Sequence, residues 1–218
     1  MLPIHGSISA LAIDFDGVLV DSQPMHMFAW RQVLGEYGIN DNISSKSIIG
    51  QSVNQFVQSL RVPKKMAIEI ARAKQDRVVE LSKHKPPPLY DTVLDTLREF
   101  SALYRLALVS SAEPLLVKVT LEHYCIKELF TVLVLGTDAS PPKPSPKPYL
   151  TCLERLKLSK SSVVAIEDSC QGVDSAIEAG IRVIAITNTT ERHLLQKADA
   201  VVDKFCEVKQ VLATWANQ

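Results

Sequence analysis

Short continuous apolar runs alternate along this chain with longer stretches whose apolar residues recur every three to four positions. The runs lie at residues 10–13, 106–109, 132–135, 163–166 and 183–186, with a weaker one at 200–202. Each is short and rich in β-branched residues or Leu, as strands buried on both faces are. Segments of helical character separate most of them. Strands alternating with helices predict βαβ units, and so an α/β fold on a mostly parallel sheet.

One interval breaks the alternation. From Ser22 to about Lys85 there is no convincing strand. A first helix is predicted with Ser22 and Pro24 near its start, a stripe of Trp30, Val33, Leu34 and Tyr37, and an end at Gly38. A second stretch carries Ala67, Ile70, Ala71, Val78 and Leu81 at helical spacing, with Pro63 near its beginning. Lys85-Pro86-Pro87-Pro88 reads as a stiff return linker. The expected organisation is a core of residues 1–21 and 89–218 with a helical insert at 22–88. Such an insert, placed directly after the first strand, either closes over a site at that strand's end or only adds core.

Composition narrows the function classes. The chain has 218 residues, 46% of them hydrophobic, enough for a sizeable core. Lys+Arg and Asp+Glu both number 24, so no basic excess points to nucleic acid. Cys125, Cys152, Cys170 and Cys206 are scattered without a C-x-x-C pair, which fits a reducing compartment and argues against a zinc ribbon. The amino terminus has no basic n-region, and no segment approaches an uncharged transmembrane span. A cytoplasmic protein without a membrane partner is expected.

The chemistry gathers at strand ends. Asp14 and Asp16 follow the first run, with Gly17 directly after. Ligands in open α/β sheets bind outside the carboxyl ends of the strands. Two carboxylates this close repel, and a hard divalent cation such as Mg²⁺ suits them. Ser110 and Ser111 end the second run ahead of Pro114, either as an anion site at a helix start or as a plain helix cap. Lys143 lies among prolines at 141–148, where it is a fixed cation, a solvated lysine or part of a PxxP docking peptide. Glu167 and Asp168 follow the run at 163–166, ahead of a predicted helix from Ser169 to Gly180; a helix cap would explain Asp168 but not Glu167. Four acids, two hydroxyls and one lysine at one sheet edge suit phosphoryl transfer.

These residues resemble the motifs of the haloacid dehalogenase-like hydrolase superfamily, over nearly the whole length. The first motif, D-x-D-G-x-x-x-D-S, stands at 14–22; Ser110, Lys143 and Glu167-Asp168-Ser169 with Gly172 supply the other three in the family's order. The resemblance implies a Rossmann-like core with a helical cap, and a phosphatase acting on a small phosphorylated metabolite such as a sugar phosphate, as a monomer or homodimer. It implies Asp14 as nucleophile and Asp16 as acid and base. It further implies Mg²⁺ on Asp14, the Asp16 carbonyl and Asp168, with Glu167 at or beside the metal. Gly17, Ser110, Ser111 and Lys143 would hold the phosphoryl group. The namesake dehalogenases lack an acid two residues after the nucleophile, so Asp16 favours phosphate. Phosphonatases carry a cap lysine where this chain has Gly50-Gln51-Ser52-Val53. The closest competitor is β-phosphoglucomutase, whose H-x-x-x-W segment is similar to His26 and Trp30. Mutases place a phosphate-gripping arginine where Val53 stands, with Arg61, Lys64 and Lys65 as the nearby substitutes. His26 reads either as a substrate-facing group or as a hydrogen-bonded residue at the cap hinge. Lys147 stands where many relatives have Asp, and Tyr90-Asp91 where a Pro-Gly turn is common. A non-catalytic binding protein using the Pro-rich loop is the reading from another class.

Overall fold

A computed structural model of the protein describes residues 8–39 and 53–216. The Gly50-Gln51-Ser52 stretch lies outside the described residues. Six strands form one sheet among them: β1 (Ala10–Ile13), β2 (Arg105–Val109), β3 (Phe130–Val134), β4 (Val163–Glu167), β5 (Arg182–Ile186) and β6 (Ala200–Val202). Their order is β3-β2-β1-β4-β5-β6, and every pair is parallel. The winding reverses beside β1, where doubly wound sheets open a crevice for ligands. Ile13 pairs with both Leu108 and Ile166, so β1, β2 and β4 end at one level.

The apolar runs are buried on both faces. In β1, Leu11 and Ile13 enter one hydrophobic cluster while Ala10 and Ala12 enter another. This alternation follows from the two-residue period of a strand. The predicted strands are observed with small shifts, the largest in β3, expected at 132–135 and found at Phe130–Val134. Leu135 leaves the ladder because its N–H donates to Asp138 Oδ2 at 2.9 Å.

Eight helices accompany the sheet among the described residues: α1 (Gln23–Glu36), α2 (Val53–Ser59), α3 (Lys64–His84), α4 (Val93–Leu103), α5 (Pro114–His123), α6 (Lys147–Leu156), α7 (Cys170–Glu178) and α8 (Val208–Ala216). The first three share a cluster of their own around Trp30, Leu34, Phe56 and Ile70. Trp30 and Phe56 meet edge to face at 4.6 Å. Arg77 of α3 reaches Gln32 at 2.7 Å and Glu36 at 2.8 Å on α1. The chain departs and returns side by side: Asp21 N–H donates to Pro88 O at 2.9 Å, and Tyr90 N–H to Leu19 O at 3.0 Å. A turn at Asp91 and Thr92 follows that return, with Thr92 in the left-handed conformation at φ 67°. All four cysteines are unpaired. No helix among the described residues is long and apolar enough to cross a membrane.

Candidate active site

The strand ends converge on one carboxylate cluster. Asp14 continues β1, its N–H donating to Ile166 O at 3.0 Å. Ligand oxygens of Asp14, Glu167 and Asp168 lie within 4.8 Å of one another, and all three residues are buried. Such a set is unstable without positive charge. Lys143 supplies part of it. Its Nζ donates to Asp14 Oδ1 at 2.7 Å, Glu167 Oε1 at 2.6 Å and Val109 O at 2.8 Å. The lysine side chain is 8% exposed, so it is neither a solvated loop residue nor part of a free docking peptide. Tyr149 Oη also donates to Glu167 Oε1, at 2.6 Å. Glu167 Oε2, by contrast, is buried with no hydrogen-bond partner.

Charge is held unevenly across the cluster. Burial pushes the Asp14 carboxyl well above the usual range; Lys143 pulls it down while Glu167 and Asp168 push it further up. Asp168 is raised to about 7, first by burial and then by Glu167, against a hydrogen bond from Thr189. A divalent cation would relieve both. The donor set, all carboxylate oxygen with one buried oxygen lacking a partner, fits a hard cation such as Mg²⁺.

Glycines admit this packing. Gly17 has φ +79°, and a Cβ there would lie 1.8 Å from Asp168 Oδ2. A Cβ on Gly172 would lie 1.9 Å from Glu167 Oε2. Gly17→Ala is therefore expected to destabilise the protein by about 1–3 kcal/mol, combining left-handed strain with displacement of Asp168. Chemical denaturation measures it; an unchanged midpoint contradicts the packing described.

The helix-cap alternatives resolve locally. Ser169, not Asp168, caps α7, its Oγ accepting from Gly172 N–H at 3.0 Å. Glu113 occupies the cap position of α5, which frees Ser110 and Ser111 from that duty. Ser110 is buried, and its Oγ accepts from Ala112 N–H at 3.0 Å; Ser111 is exposed on the cavity wall.

Asp16 stands apart from the buried carboxylate cluster, beneath α1 and α3. Ser22 Oγ donates a short hydrogen bond to its Oδ1, and His26 Nε2 lies 3.7 Å from the same oxygen. His26 Nδ1 is 2.9 Å from Lys74 Nζ. An ammonium can only donate, so Nδ1 accepts and the proton of the neutral imidazole sits on Nε2, facing Asp16. Burial, then Lys74, lowers the His26 pKa, which keeps the ring neutral. Burial alone would raise Asp16, but His26, Ser22 and Lys74 outweigh it and hold the carboxyl below its ordinary value. Burial brings Lys74 down to about 8, against the fields of Asp16 and Glu113.

Sequence patterns did not expose Lys74, Tyr149, Asn188 or Thr189. Lys74 had a signal, since it falls between Ile70 and Val78 on the buried stripe of α3. Asn188 and Thr189 follow the carboxyl end of β5; Asn188 Nδ2 donates to Gly17 O at 2.8 Å, and Thr189 Oγ1 donates a short bond to Asp168 Oδ2. Tyr149 carries no sequence signal. A cavity of about 560 Å³ lies over the cluster, walled by the strand ends and by α1, α2 and α3.

The model of the haloacid dehalogenase-like hydrolase family matches residues 11–186. The fructose-1-phosphate phosphatase YqaB of Escherichia coli (strain K12) is 25% identical over 182 residues, spanning 82% of this chain and 96% of its own. A phosphorylated carbohydrates phosphatase of Thermotoga maritima is 28% identical over 216 residues, spanning 94% and 98%. Among solved structures, CbbY from Rhodobacter sphaeroides in complex with phosphate superposes with a TM-score of 0.80 at 25% identity, over 92% of this chain and 96% of its own.

Proposed function

The chain belongs to the haloacid dehalogenase-like hydrolase family, and on that premise we propose that it is a Mg²⁺-dependent phosphatase of small phosphomonoesters, sugar phosphates foremost, working through an aspartyl-phosphate on Asp14. One observation carries this reading: Asp14, Lys143, Glu167 and Asp168 meet in a buried cluster while a second acid, Asp16, stands beside it with its own proton partners. The relatives that are phosphatases of phosphorylated sugars support the substrate class.

Asp14, Asp168 and the Asp16 carbonyl would hold Mg²⁺, with Glu167 at or beside it. Bound there, the ion would neutralise the phosphoryl oxygens and the carboxylates together. Lys143 orients Asp14 through Oδ1 and adds a positive charge, while Gly17, Ser110 and Ser111 line the phosphoryl site. The Asp14 carboxylate attacks phosphorus, and the bond to the substrate's alkoxide breaks. Asp16 protonates that oxygen, then takes a proton from the water that attacks phosphorus and frees Asp14. In the free protein Asp16 is held ionised, ready for the second half. For the first half, the field of the arriving phosphate dianion raises its pKa and draws a proton onto it. Residues 22–88 act as a cap that excludes water from the intermediate.

Lys74 sets the imidazole tautomer and the charge on Asp16. Lys74→Met is expected to lower kcat/KM by about tenfold or more. The ammonium of the wild-type lysine is lost as pH rises through about 8. Activity should therefore fall on that alkaline limb in the wild type, and the variant should lack the limb. Its melting temperature should hold or fall slightly, because an apolar side chain takes the place of the cation but His26 Nδ1 loses its donor. An alkaline limb identical in both proteins contradicts this role.

The phosphatase assignment is tested by Mg²⁺-dependent phosphate release from p-nitrophenyl phosphate and a sugar-phosphate panel. No turnover of any ester by metal-loaded protein overturns it. Conversion of β-glucose 1-phosphate to glucose 6-phosphate without phosphate loss would mark a mutase instead.

A further inference from the structure

The cavity extends beyond the carboxylate cluster, and its far wall has a distinct chemistry. That wall is largely apolar, formed by Met27, Trp30, Val53, Phe56 and Val78. Among the described residues the cavity wall holds two full cations, Lys74 and Lys143, and no arginine. Both are engaged. Lys143 serves Asp14 and Glu167. Lys74 donates to His26 and lies 5.6 Å over the indole of Trp30. Arg61, Lys64 and Lys65 are exposed and do not line the cavity. Among the described residues, the remaining charged group on this side is an anion. Glu113 sits half-buried at the start of α5, where the helix N-terminus favours a carboxylate, and its field reaches Lys74.

A bound Mg²⁺ and the two engaged lysines would be shared between the acidic floor and one phosphoryl group. A second anionic group on the same substrate would meet Glu113 and, among the described residues, no free cation. Building repulsion against the wrong ligand is an effective way to gain specificity. We infer that the site selects phosphomonoesters with a single phosphate and an uncharged or cationic remainder, and that Glu113 is the residue that excludes bisphosphates and carboxylate-bearing esters. This rests on the phosphatase reading and narrows its substrate class. Glu113 acts on specificity and is not a catalytic residue.

The test uses the full chain carrying Asp14→Asn, loaded with Mg²⁺, so that ligands bind without turnover. Calorimetry compares fructose 1-phosphate with fructose 1,6-bisphosphate, which differ by one phosphate. With Glu113 present, the monophosphate should bind at least tenfold more tightly. Adding Glu113→Lys should shift that ratio by at least tenfold toward the bisphosphate, and Glu113→Gln by a smaller step in the same direction. Circular dichroism verifies that each variant is folded. Equal or tighter bisphosphate binding with Glu113 in place overturns the inference. So does a ratio that moves less than twofold in Glu113→Lys, or failure of the monophosphate to bind. The same ratio read as kcat/KM in Asp14-intact protein should follow. Absence of all turnover there would count against the phosphatase reading alone, because the binding ratio stands independently of it.

Discussion

Asp14→Asn is expected to reduce phosphate release by about 10⁴-fold or more, equivalent to about 5 kcal/mol of barrier or more, and to leave the protein folded. An amide has the size of a carboxylate but does not attack phosphorus. The fold should tolerate it because Asp14 is buried beside Glu167 and Asp168, which already push its carboxyl upward. Removing that charge relieves repulsion, and Lys143 keeps its contacts with Glu167 and the Val109 carbonyl. Phosphate release and a thermal melt measure the two halves. Retained turnover removes the covalent mechanism, whereas an unfolded variant contradicts the account of charge in the cluster.

Lys143→Met should damage both activity and stability. It removes the ammonium that joins Asp14 to Glu167 and leaves their carboxylates without their shared partner. Breaking a buried ion pair from one side costs about 3–5 kcal/mol, and losing a charge from the phosphoryl site should lower kcat about 10³-fold. The stability loss depends on pH in a defined sense. Asp14 already has its folded pKa raised above its unfolded value, so its burial is tolerated best at low pH and costs more as pH rises toward the folded value. Without Lys143 that folded value rises further. The deficit against wild type should therefore be large at pH 7 and narrow toward pH 4 as the carboxylates become protonated. Urea denaturation at the two pH values, without added metal, measures it. A deficit equal at both contradicts the assignment of Lys143 as the counter-charge.

Much of the fold was legible because strands buried on both faces must be apolar throughout, and the alternation with helices then leaves few topologies. The exception is instructive. β3 lies at the edge of the sheet, Thr131 is exposed within it, and its carboxyl end is drawn off by Asp138, so its apolar run marks the strand imperfectly. The cluster of Asp14, Lys143, Glu167 and Asp168 was legible from strand ends and motif order. Its supports were not. Tyr149, Asn188 and Thr189 act through contacts that join distant parts of the chain. Lys74 was hidden for another reason: a lysine in a helix usually faces water. Only its register with Ile70 and Val78 marks it as buried.

The most direct test of the central claim traps the intermediate. Metal-loaded protein is mixed with a turned-over phosphomonoester, quenched, and treated with borohydride, which reduces an acyl phosphate to an alcohol. Peptide mass spectrometry should find homoserine at position 14 and an unmodified Asp16. Active enzyme that yields no reduced residue, or reduction at Asp16 instead, would contradict it.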